Sequence, residues 1–226
     1  MTLCRQVAAN HVVRNEQGDL MDNKLRGKKI AILVADGFEQ IELTAPREAL
    51  EAEGASTEIV SPSEAEVQGW NHDEKADAFA VDMPLNRARS DDYDALVLPG
   101  GVRNPDKLRQ LTRALEFVDG FFATGKPVAA ICHASWTLID AGVVDGRKMT
   151  SWPSLKTDLR NAGADWVDTD VVVDRGLVSS RKPADMPAFT KKMIETFAEG
   201  RQRPWLNISM QSRKTVARPV EQPRSH

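Results

Sequence analysis

Three short stretches are apolar at nearly every position: KIAILVA at 29–35, DALVLP at 94–99 and PVAAIC at 127–132. A strand with one wet face alternates polar and apolar residues, so unbroken runs predict strands covered on both faces at the centre of a parallel sheet. Between the second and third runs, Leu108, Leu111, Leu115, Val118 and Phe122 recur at steps of three and four behind Pro105. Proline suits a helix's first turn, and the spacing predicts one crossover helix. The same period places helices at about 41–53, 133–141, 154–162 and 183–199, with Met186, Phe189, Met193 and Phe197 on one face of the last. Gly54, Gly142 and Gly163 stand where helix C-caps are due. Alternating strands and helices predict an α/β fold with a mainly parallel sheet between helical layers, spanning 28–199.

The flanks, 1–27 and 200–226, lack sustained periodicity and read as an N-terminal extension and a C-terminal basic tail. The second carries Arg201, Arg203, Arg213, Lys214, Arg218 and Arg224 against Glu221, with Pro204, Pro219 and Pro223 interspersed. It is either a solvated tail or a segment that docks on a neighbouring subunit through Trp205. Met21 opens MDNKLRGKKIAILV like a natural beginning, which makes residues 1–20 an upstream addition of little consequence for stability. Residues 1–27 lack the continuous apolar core of a signal peptide, and no apolar run approaches the roughly 20 residues of a membrane span. A cytoplasmic location is expected. The length of 226 residues suits one domain with tails, and a net charge of −3 offers no field for nucleic acid or an anionic membrane, so neither partner is expected.

The candidate chemistry lies in VAAICHASW, 128–136. The two cysteines, Cys4 and Cys132, are far apart in sequence, and a structural disulfide is not expected. Cys132 ends a buried strand and His133 begins a helix, a strand–turn–helix elbow that would hold a nucleophile at the carboxyl edge of the sheet. A helix N-terminus favours negative charge, so a thiol pKa below the free value of about 8.5 is expected. The plainer alternative is a small core residue. In ADGFEQIELTAP, Glu39 and Glu42 stand at the first helix's start, where acids also serve the helix dipole alone. In PGGVRNPD (99–106), the Gly100–Gly101 pair either presents bare N–H groups to an oxyanion or makes a tight turn. His72, in GWNHDEKAD, lacks metal-ligand spacing and reads as a loop residue, with a lining role at a pocket or subunit contact as the alternative.

In order and spacing, DGFEQIEL, ALVLPGG, AAICHA, GRKMTSWPS and VVVDRGLVSSRKPAD resemble the PfpI branch of the DJ-1/PfpI superfamily, also called the peptidase C56 or intracellular-protease-like family, over about 28–199. The resemblance implies a flavodoxin-like three-layer sandwich related to class I glutamine amidotransferase domains, with no metal or organic cofactor. It makes Cys132 the nucleophile and His133 its partner. Glu42 matches the family's buried glutamate, expected to donate to sulfur as a protonated carboxyl because two adjacent anions in an apolar site repel. Asp106 stands near the place of an acid that reaches from the next subunit to orient the histidine, although the spacing is one residue longer and the side chain shorter than Glu. Trp152, in TSWP, holds a position that is usually aromatic in the PfpI branch. Beyond His133 the only histidine is His226, so the distant histidine–glutamate pair of an amidotransferase triad is missing and that activity is disfavoured.

The implied function is a stress-associated, cysteine-dependent enzyme of peptidase, glyoxalase-III or protein-deglycase type. It would act on a small carbonyl compound, peptide or glycated protein as a homodimer or trimer of dimers. Cys132 attacks an electrophilic carbonyl, His133 exchanges protons, the N–H groups of Gly101 and His133 meet the oxyanion, and Gly100 and Trp152 line the substrate site. The alternatives are a non-enzymatic redox sensor or holdase with an oxidisable Cys132, and hydration of another small electrophile such as an isonitrile.

Overall fold

In the computed structural model, which describes residues 23–202, the three apolar runs are neighbouring parallel strands. The first half of the chain comprises β1 (Lys29–Leu33), β2 (Phe38–Glu39), α1 (Ile41–Ala52), β3 (Ser56–Ser61), β4 (Glu66–Asn71), β5 (Glu74–Ala80), β6 (Met83–Pro84), β7 (Ala95–Leu98) and α2 (Arg103–Leu108). The second comprises α3 (Thr112–Ala123), β8 (Val128–Ile131), α4 (Ser135–Asp140), β9 (Lys148–Met149), α5 (Lys156–Asn161), β10 (Asp165–Trp166), β11 (Val171–Asp174), β12 (Leu177–Ser180) and α6 (Met186–Glu199). Single 3₁₀ turns at Cys132–Ala134, Pro153–Leu155 and Pro183–Asp185 lead into α4, α5 and α6.

The main sheet has the order β11-β12-β8-β7-β1-β3-β6, parallel except for the antiparallel edge strand β11. Ile32 pairs in register with Val97 of β7 and with Ile59 of β3, while Val97 pairs with Ala129 of β8. Alternate residues of each central strand enter opposite cores. Ala31, Leu33, Leu96, Leu98, Val128 and Ala130 join the layer containing Leu108, Phe117, Phe121, Leu138 and Leu159. Ile30, Ile32, Ala95, Val97, Ala129 and Ile131 join the layer containing Leu43, Leu50, Phe189, Met193 and Phe197. Two covered faces explain why the strands are continuously apolar, and each fully buried Leu, Ile or Phe contributes about 1.5–3 kcal/mol. The result is a three-layer sandwich with a mainly parallel sheet, as the sequence predicts.

The single crossover helix predicted between β7 and β8 is two. Leu111 is partly exposed and extended (φ −100°, ψ 106°), separating α2 from α3. α2 lies against α4 and the turn after β8, and α3 packs on both α4 and β7. The polar stretch 66–80 forms an unpredicted hairpin, β4–β5, joined to β2 in a small second sheet. Its two-residue turn puts His72 at φ 56°, the left-handed conformation that tight hairpins demand.

Leu25 is fully buried and its N–H donates to Glu53 O, so residues 23–27 lie against the domain. Met21, Trp205 and most of the basic tail lie outside the described residues. Among the described residues, no helix is long and apolar enough to cross a membrane.

Candidate active site

The sheet reverses its winding between β1 and β7, and open α/β folds form their binding crevice at the carboxyl ends beside such a point. Here the loops after β1, β7 and β8 converge on a cavity of about 250 Å³ that Cys132, His133, Glu42, Gly101 and Trp152 help to line. Ile131 is still extended (φ −127°, ψ 149°), Cys132 flips to φ 63°, and the 3₁₀ turn begins at once. A non-glycine residue in this region costs about 1–3 kcal/mol unless its surroundings impose it. The strain turns the side chain away from the strand's line and toward the crevice.

Four groups meet the sulfur. His133 Nδ1 lies 3.2 Å from Sγ, and the backbone N–H groups of Gly101 and His133 and the Glu42 carboxyl are near enough to act on its charge. This close gathering explains the glycine pair. A Cβ on Gly100 would lie 2.6 Å from both Cys132 Cβ and Glu42 Oε2, and 2.7 Å from Ile131 O. Gly101 has φ 77°, and its Cβ would meet Gly37 O at 2.7 Å and Glu39 N at 2.8 Å. Gly100 N–H donates to Glu42 Oε2 at 2.9 Å, so it holds the carboxyl rather than a substrate oxygen. The Gly101 and His133 N–H groups, expected at an oxyanion, lower the thiol's pKa against its burial.

Burial decides the protonation states. It pushes Glu42 up to about 8 against the opposing bond from Gly100, so the carboxyl is neutral at pH 7. Oε2 accepts from Gly100, while Oε1 is buried without a hydrogen-bond partner and is the oxygen left to carry the proton. The Cys132 thiol, 6% exposed, is also pushed up, first by burial and then by any negative charge on Glu42, while the two N–H groups pull the other way. This differs from the lowered thiol pKa that the elbow predicts, because helix-terminal amides are outweighed by desolvation at a buried site. Together, thiol and carboxyl accept one negative charge far more readily than two. His133 is pulled down to about 4 by burial and is therefore a neutral proton acceptor beside the thiol.

His133 is held between two indoles. Trp152 stacks on it at 5.5 Å and 26°, and Trp136 meets it edge-on at 5.2 Å, its own Nε1 anchored on Asp158 Oδ2 at 3.0 Å. Among the described residues no carboxylate pairs with this imidazole. Asp106 is exposed on α2 and does not line the cavity. Glu39 does line it, and accepts the His72 N–H at 3.1 Å.

The sequence reading missed Asn104, Trp70, Arg103 and Trp136. Asn104 is fully buried; its Nδ2 donates to Pro99 O and Gly100 O, and its Oδ1 accepts Ala35 N–H, tying the glycine loop to the end of β1. A polar residue amid the turn-like PGGVRNPD gives no sign of such burial. His72, Asp73 and Trp70 reach the cavity on the β4–β5 hairpin, and Arg103 stacks on Trp70 at 4.0 Å. Among the described residues, no three His, Cys, Asp or Glu side chains group as a metal site.

Comparison with known proteins agrees with this geometry. The DJ-1/PfpI family pattern matches residues 28–196. The chain is 42% identical over 167 residues to a deglycase of Pyrococcus abyssi and 40% identical over 167 residues to deglycase PfpI of Pyrococcus furiosus, covering 74% of this chain and 98% of each relative. It is 40% identical to a Bacillus subtilis protein named "Putative cysteine protease YraA", covering 74% of this chain and 96% of that one. Drosophila melanogaster DJ-1beta superimposes with a TM-score of 0.69 at 28% identity, covering 76% of this chain and 90% of that one. A two-domain protein of Anabaena variabilis, with DJ-1/ThiJ/PfpI-like and ferritin-like domains, gives 0.70 at 31% identity, and this chain spans 47% of its length. Matched along three-quarters of its length, and with the elbow, glycine loop and buried glutamate in one place, the chain belongs to the DJ-1/PfpI family.

Proposed function

We propose that the protein is a cysteine-dependent enzyme of the deglycase or glyoxalase kind, in which Cys132 adds to an electrophilic carbonyl. The observation that carries this reading is the thiol on a strained elbow, 3.2 Å from a neutral imidazole nitrogen and beside a neutral carboxyl. In the first step His133 Nδ1 takes the thiol proton as sulfur bonds to the carbonyl carbon, and the carbonyl π pair moves to oxygen. Protonated His133 then supplies a proton to that oxygen or to a departing amine. Neutral Glu42 donates to the sulfur whenever the thiolate is free, keeping the second negative charge out of the site. The cavity, at about 250 Å³, is below the roughly 300–1,000 Å³ of drug-sized sites, which favours a small carbonyl or a carbonyl adduct on a small carrier over an extended peptide. We also propose that a second copy supplies the carboxylate that this chain does not place beside His133. Wild-type protein is expected to turn over methylglyoxal or its thiol adducts, and Cys132→Ser to lower kcat at least about 10³-fold, as loss of an attacking group does. Turnover that survives in Cys132→Ser would refute the reading.

A further inference from the structure

Arg103 is the cavity's only lysine or arginine among the described residues. Its guanidinium lies over the Trp70 ring at 4.0 Å, and its stem rests against Gly37, where a Cβ would come within 2.5 Å of Arg103 Cβ. The side chain is exposed to the cavity mouth, but its stem passes the bare glycine and its head lies over the indole face. No described carboxylate forms an ion pair with it. The acids that share the cavity are otherwise placed: Glu42 is neutral, Glu39 accepts the His72 N–H, and Asp73 stands on the exposed hairpin turn. A guanidinium laid over an indole, with its donor fork unused by any described carboxylate, is suited to bidentate binding of a planar anion. The cavity joins that fork to the thiol.

We infer that Arg103 is a substrate-binding residue for a carboxylate, so that the preferred substrate is a carbonyl adduct whose carrier bears a carboxylate near the reacting carbon. This rests on the carbonyl-addition reading for its substrate, but the anion site itself can be tested without turnover. Iodoacetate and iodoacetamide alkylate a thiol by the same displacement and differ mainly in the carboxylate. The ratio of their rates at Cys132, followed by mass spectrometry of the Cys132 peptide, is expected to fall about tenfold in Arg103→Met, the low end of what a hydrogen bond to a charged group supplies. Arg103→Lys, which keeps the charge but not the fork, should fall between. In the wild type, 0.5 M NaCl should slow iodoacetate selectively. A ratio unchanged in both variants, or an equal slowing of both reagents, would overturn the inference. The second arm compares methylglyoxal adducts of N-acetylcysteine and N-acetylcysteine amide. Arg103→Met should raise KM for the acid by a clearly larger factor than for the amide. If the wild type processes neither adduct, the carbonyl reading fails while the alkylation ratio still decides the role of Arg103.

Discussion

At the scale of single residues, Glu42 and His133 place opposite pH signatures on stability. Glu42 has a folded-state pKa of about 8 against 4.5 for the free group, so between those values the native state keeps a proton that the unfolded chain releases. Its contribution is complete below about 4.5 and is lost as pH rises through about 8. His133, lowered from 6.5 to about 4, behaves inversely: its contribution is present above 6.5 and lost as pH falls through about 4. From pH 6.5 to 8 Glu42 acts without His133. The melting temperature of the wild type is expected to decline across that window, and Glu42→Gln to flatten the decline. A variant that declines as steeply as the wild type would show that another group is responsible. The position of Glu42 was legible through the family-like block DGFEQIEL, and so was its neutral form. The thiol's raised pKa was not, because an elbow is visible in sequence whereas the depth at which it is buried is set by residues distant along the chain.

Among the elements, the glycine loop between β7 and α2 is the most constrained. Gly100→Ala would force a methyl group between Cys132 Cβ, Glu42 Oε2 and Ile131 O, two of them held by the backbone and one by a buried hydrogen bond. Overpacking of this kind costs about 1–3 kcal/mol, a drop of several degrees in melting temperature. Because Glu42 must move, the pH-dependent decline assigned to it should shift as well, an effect that a general loss of stability would not produce. Differential scanning calorimetry at pH 6.5 and 8 reads both. The strands on either side of this loop were legible because burial on both faces leaves an unmistakable apolar run. The break between α2 and α3 was not: Leu108, Leu111 and Leu115 keep helical spacing through it, although only Leu108 is fully buried. Nor was the hairpin, since β5 is largely exposed and lacks an apolar face to reveal it. That hairpin carries Trp70 and His72 into the cavity, so this wall of the site was the part least visible in sequence.

For the whole molecule, the proposed mechanism raises the question of where His133 would obtain a counter-charge on taking the thiol proton. Inside the chain it has two indoles but no carboxylate, and an imidazole pulled down to about 4 holds a proton poorly. Asp106 is exposed on α2, outside the cavity, in a helix that borders the loop at the sheet's carboxyl edge. Val102, 54% exposed, and Trp152, 36% exposed, line the cavity and leave apolar surface there. If a second copy's α2 brings its carboxylate there, Asp106→Asn should depress kcat without lowering the melting temperature. Its pH–rate profile should also shift, because the protonated imidazole loses its stabilising charge. Mixing inactive Cys132→Ser subunits with Asp106→Asn subunits, then allowing exchange, should restore part of the activity in hybrid sites that combine an intact thiol with an intact acid. A working enzyme that sediments as a monomer at assay concentration, or mixtures no more active than their separate components, would mean that the indole pair alone orients His133 and that Asp106 serves only its own helix.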